Sequence, residues 1–169
     1  MDANSDYIAQ KSHDLYLWTL EHLAQHSIDF SQWQHEPILD FVTDVKVAQQ
    51  LGWQGVHSKS LFLKLKGTER YAVYLTDKDS RLDSKAIKEV LGKRVSICPD
   101  QEMVDKLGCY PGAVCPFGLE DEISLVIDKR LLEANEVLYT PGRPDITFGL
   151  SQSSLKQLLT TLSNPIHLL

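Results

Sequence analysis

The stretch Gly108-Cys109-Tyr110-Pro111-Gly112-Ala113-Val114-Cys115-Pro116-Phe117-Gly118-Leu119 holds three of the nine glycines and two of the seven prolines of this 169-residue chain. Its backbone is therefore shaped rather than merely tolerated. Pro111 and Pro116 stiffen the path and each removes an N–H, while glycine lets a guest approach the main chain closely. An ordinary Pro-Gly pair makes a tight connection between a helix and a strand. What surrounds this one decides whether it does more.

Upstream, residues 95–98 form a short strand. Pro99 then suits the first turn of a helix whose Asp100 and Glu102 oppose the positive end of its dipole and which closes at Gly108. Downstream, Glu120-Asp121-Glu122 is an acidic turn, and Ile123, Leu125 and Ile127 alternate with Ser124, Val126 and Asp128 in a strand that Asp128 ends. Residues 137–140 and 146–150 are two more strands, separated by Pro141-Gly142-Arg143-Pro144. Leu155, Leu158, Leu159 and Leu162 then trace one face of a helix capped by Ser151.

The first half supplies the partners. Tyr16, Leu20 and Leu23 mark an amphipathic helix over residues 6–25, on which His22 and His26 lie one turn apart as members of a polar face, with no third metal ligand in evidence. Residues 28–33 read as a short strand, Pro37 bars a helix through the preceding residue, and a second helix runs from an N-cap at Thr43 to Gly52. The clearest strand is 59–66, where Leu61, Leu63 and Leu65 alternate with Phe62, Lys64 and Lys66. That parity puts Lys59 on the side of the three leucines, where its charge must either reach solvent or find a partner at the mouth of the core. Residues 71–76 return as a hairpin, and Asp83 or Ser84 caps a helix that stops at Gly92. Short strands alternating with helices imply one α/β domain over residues 1–169 with a mixed sheet.

Seventeen basic against twenty-three acidic side chains give a net charge of −6 and a pI near 5.4, which argues against broad neutralisation of a nucleic acid. Any RNA contact must be small and local, and DNA is not expected as a partner. Three cysteines, an odd number without a C-x-x-C pair, indicate neither a disulfide framework nor a zinc knuckle. No apolar run approaches the ~20 residues of a membrane span, and no secretory signal opens the chain, so the expected location is the cytoplasm.

With these elements in place, Tyr110-Pro-Gly-Ala-Val-Cys-Pro-Phe-Gly-Leu119 resembles the glycine loop of the YbaK/ProX family, the aminoacyl-tRNA deacylases related to the editing insert of bacterial prolyl-tRNA synthetase. The resemblance spans residues 27–162. It implies a strongly curved mixed sheet, a partly closed barrel with helices around it, and a cofactor-free hydrolase acting on the acceptor end of aminoacyl-tRNA, alone or assisted by prolyl-tRNA synthetase or an elongation factor. Lys59 falls on the lysine that the family places in its pocket, and contacts the terminal adenosine, its phosphate or the reacting ester. The amides around Gly112 and Ala113 would face the ester carbonyl, with water positioned by backbone and the neighbouring ribose hydroxyl assisting. Ser60, Val114, Cys115, Pro116, Asp128 and Thr140 complete the expected pocket.

The alanine-removing branch for proline tRNA usually carries asparagine after the pocket lysine and a His-Pro pair in the late loop. This chain has Ser60 and Thr140-Pro141 there. The glycine loop favours alanine as the amino acid removed, while those two changes leave open a catalytically silent relative that binds an aminoacyl group, a nucleotide or a partner. Cys115, where the family carries serine or threonine, raises a third reading as a thiol nucleophile.

Overall fold

The computed structural model describes residues 3–169. Helix α1 (Ala3–Gln25) leads into β1 (Ser31–Gln34), α2 (Phe41–Leu51) and the hairpin of β2 (Val56–Leu65) and β3 (Tyr71–Asp77). Then come α3 (Ser84–Leu91), β4 (Val95–Ile97), α4 (Asp100–Leu107), β5 (Ser124–Ile127) and a 3-10 turn at Lys129–Glu133. Strands β6 (Glu136–Tyr139) and β7 (Ile146–Ser151), helix α5 (Gln152–Thr160) and β8 (Ile166–Leu168) complete the chain.

Among the described residues the eight strands make one mixed sheet in the order β1-β7-β6-β2-β3-β5-β8, with β4 also paired to β2. Side-chain parity explains how it curves. Val73 and Leu75 of β3, Leu125 and Ile127 of β5, Val137 and Tyr139 of β6, and Phe148 and Leu150 of β7 all belong to one core cluster. Both arms of the sheet therefore wrap the same apolar mass, and α1, α4 and α5 add Leu23, Met103 and Leu155 to it. On the opposite face Leu63, Tyr74 and Val126 pack under Ile87 of α3. Strand β5 is buried at all four positions because it has parallel neighbours on both edges and packing on both faces. The edge strands β1 and β8 do not pair, so the barrel stays open.

Two expectations shift, and one strand goes unannounced. The N-cap of α2 is Asp40, whose carboxylate accepts the Thr43 N–H at 2.7 Å, three residues earlier than Thr43 itself. The even face of β2 is not a solvent face, since Phe62 is buried in the main core and Lys64 is half-buried against Glu102 at 3.1 Å. Strand β8, three residues long and directly following Pro165, is too short for any periodicity to announce it.

Helix α1 sets the site from behind. A Cβ on Gly142 would come within 2.9 Å of both Ser12 O and Tyr16 N, and one on Gly118 within 2.6 Å of the Trp18 ring. The buried Ser12 hydroxyl donates to Gly142 O. Both the glycine loop and the loop between β6 and β7 are thereby fastened to one helix.

Candidate active site

Strand β2 is the floor of the site because its far edge is only partly covered. Along the edge away from β3, β6 pairs with Val56 and His57, and β4 pairs with Leu63, Lys64 and Leu65. Between them the ladder is interrupted. Leu65 N–H donates to Arg70 O on the β3 side, whereas Lys66 N–H donates to Arg94 O and Phe62 O accepts from Cys98 N–H on the other. The alternation of an antiparallel ladder therefore turns the N–H and C=O of Ser60 toward the open edge. A cavity of about 360 Å³ occupies that gap. It is walled by residues of both parities, Lys59 and Leu61 together with Ser58, Ser60 and Phe62, because it meets the strand from its edge rather than from one face.

The opposite wall is the glycine loop. Tyr110-Pro111-Gly112-Ala113 is a turn closed by Ala113 N–H donating to Tyr110 O at 2.9 Å, with Gly112 at φ +85°, as a type II turn with proline and glycine at its centre requires. A side chain at Gly112 would collide with the carbonyl oxygen of Leu39, so the segment between β1 and α2 lies directly on the turn. That segment is itself held: His35 N–H donates to Asp145 O, Ile38 N–H to Pro144 O, and His35 Nε2 lies 2.8 Å from Thr147 Oγ1.

Of the residues singled out from sequence, Lys59, Ser60, Gly112, Ala113, Val114 and Thr140 converge on this cavity. Lys59 is half-buried and its side chain makes no hydrogen bond or ion pair with the described residues, so its ammonium is available to a ligand. The Ala113 amide is already spent on Tyr110; those of Gly112 and Val114 have no acceptor among the described residues. Cys115, Pro116 and Asp128 are buried outside the cavity wall. Cys115 Sγ donates to Phe117 O at 3.2 Å within the core, and burial pushes its pKa well up. Asp128 caps the 3-10 turn, accepting from Arg130 N–H and from the Thr76 hydroxyl at 2.7 Å. Burial works against its charge, but Arg130 and Thr76 outweigh that and hold its carboxyl below the usual range.

Sequence reasoning missed a polar group at one end of the cavity. Asp44 of α2, 7% exposed, stands 2.5 Å from His57 Nδ1, off the line of a well-formed hydrogen bond, and 3.7 Å from Lys78 Nζ. The traces were there: His57 lies two residues before Lys59, Lys78 follows the strand that pairs with it, and Asp44 sits one turn before buried Val47.

The sequence of residues 41–158 matches the family described as the aminoacyl-tRNA editing domain. The chain belongs to that family. It is 27% identical over 150 residues to the prolyl-tRNA editing protein ProX of Acetoanaerobium sticklandii, covering 84% of this chain and 88% of that one. It is 29% identical over 129 residues to the multifunctional Ser/Thr-tRNA deacylase ProXp-y of Escherichia coli K12, covering 73% and 75%. The fold of this editing domain recurs in the crystal structure of hypothetical protein APE2540, with a TM-score of 0.72 at 23% identity over 87% of this chain and 95% of that one. It recurs again in a candidate trans-editing enzyme for prolyl tRNA synthetase, with a TM-score of 0.68 at 18% identity over 98% and 96%. No helix among the described residues is long and apolar enough to cross a membrane.

Proposed function

We propose that this editing domain acts in trans as an aminoacyl-tRNA deacylase, removing a small amino acid, alanine on tRNA(Pro) first, from mischarged tRNA. The observation that carries the reading is an unpaired ammonium, Lys59, and two unspent amides, Gly112 and Val114, brought from separate elements to one cavity. The ester carbonyl oxygen lies against the two amides, which stabilise the negative charge it gains in the tetrahedral intermediate. Water adds to the carbonyl carbon, and the ribose oxygen leaves with a proton. Free amino acid and uncharged tRNA result. The neighbouring ribose hydroxyl assists, and Lys59 steadies the nucleotide or the ester. At about 360 Å³ the cavity suits an aminoacyl group with part of its ribose. Residues 1–169 act as one domain in the cytoplasm, with prolyl-tRNA synthetase or an elongation factor as a helper that delivers tRNA.

A second reading has its own observation. Ser60 and Thr140 line the cavity, and their hydroxyls make no hydrogen bond among the described residues, unlike that of Ser58, which donates to Leu138 O at 2.6 Å. Two free hydroxyls favour a hydroxylated side chain, so serine or threonine esters are the alternative substrates. The test is release of labelled amino acid from tRNAs charged with alanine, cysteine, serine, threonine or proline. Rapid loss of one small residue, reduced about 10²-fold in Lys59→Ala, is expected. No release from any member, with synthetase and elongation factor added, would transfer the chain to the class of silent binding modules.

A further inference from the structure

Leu39, Phe41 and Val42 lie within four positions and are 44%, 60% and 76% exposed. Isolated apolar residues in water call for no explanation, but a contiguous set beside a cavity does. Leu39 and Phe41 belong to the cavity wall, whereas Val42 does not. Phe41 is the first residue of α2, presented there by the Asp40 cap. Lys78 Nζ lies 5.7 Å from its ring centroid, and the residue keeps its exposure even with that ammonium beside it. The buried Asp44 carboxylate fixes Lys78 at 3.7 Å, too far to use up its donors. An exposed ring with an anchored ammonium over it combines the two groups that single-stranded nucleic acid readers use for a base and its phosphate.

We infer that Phe41 and Lys78 form the seat of the terminal adenosine of the acceptor strand, the base against the ring and its 5′-phosphodiester beside the ammonium. This rests on the deacylase reading and adds to it the element that recognises the nucleotide. The direction of the strand follows. His57 and Lys78 stand at the end of the gap where β6 leaves β2, while Ile97 and Asp100 line the other end, where β4 stops. The phosphodiester therefore runs out over the basic end, away from the Asp100 carboxylate. Of the other two carboxylates lining the cavity, Asp40 is engaged by the Thr43 amide, and buried Asp44 sits against His57 and Lys78, offsetting part of their charge.

The test is equilibrium binding of the trinucleotide CpCpA and of the same oligomer with an abasic 3′ ribose. Phe41→Ala is expected to weaken CpCpA about 5- to 150-fold. Phe41→Trp should keep the affinity, and Val42→Ala, outside the wall, should leave it unchanged. The abasic oligomer should bind weakly and alike to native protein and Phe41→Ala. Equal affinity of native protein for the two oligomers, unaltered CpCpA binding by Phe41→Ala, or no CpCpA binding at millimolar concentration would each overturn the seat. Lys59-dependent hydrolysis untouched by Phe41→Ala removes the seat and leaves the deacylase. Phe41-dependent CpCpA binding by a protein that releases no amino acid keeps the seat and removes the deacylase.

Discussion

The thiol of Cys115 has no exposed surface and donates to Phe117 O, and burial holds it protonated at neutral pH. Cys98 and Cys109 are likewise buried, with pKa values pushed up to about 11. A nucleophilic thiol needs access and a depressed pKa, and these have neither. Iodoacetamide at neutral pH should therefore label native protein slowly and leave its hydrolytic rate intact, and Cys115→Ser should remain active. Inactivation that tracks labelling of Cys115 would restore the thiol reading. Lys59 and Ser60 were legible at the site through the resemblance to the editing family, since strand parity alone left Lys59 free to reach solvent; the buried Asp44 behind His57 and Lys78 was not, because an acid within an amphipathic helix looks the same whether it faces water or a cavity wall.

At the scale of elements, the turn at Gly112 and the connection at Leu39 support one another. Gly112→Ala must place a Cβ at φ +85° against the Leu39 carbonyl. We expect a loss of about 2 kcal/mol, roughly 4–8 °C in Tm, read by thermal unfolding. An unchanged Tm would show that the β1–α2 connection can lift off the turn. Activity should fall with it, so this substitution reports on the loop's seating and not on the amide alone. The element order was largely legible, since alternation, capping residues and the glycines after α2, α3 and α4 mark most boundaries. The interruption along β2 was not. It depends on where β4 and β6 stop, which is a matter of long-range pairing that no local pattern encodes.

For the molecule as a whole, a net charge of −6 must coexist with an RNA substrate. The cations at the cavity are few, chiefly Lys59 and Lys78, with Lys78 paired to Asp44. Deacylation kcat/KM should then fall gently with salt, with a log–log slope of about −0.7 to −1.4, as one or two phosphate contacts to a single strand imply. A slope steeper than about −5 would require a basic surface beyond this cavity.

The gap in β2 also gives this protein a built-in gauge. Amides in the middle of a buried sheet exchange their hydrogens only through rare openings, but the Ser60 amide points into the cavity without a protein acceptor. In the empty protein it should exchange like an amide in a loop while its strand neighbours Leu61 and Leu63, bonded to β3, stay protected. A non-hydrolysable substrate analogue that fills the gap should slow it alone among the amides of β2, so that one hydrogen in the centre of the sheet reads the occupancy of the site.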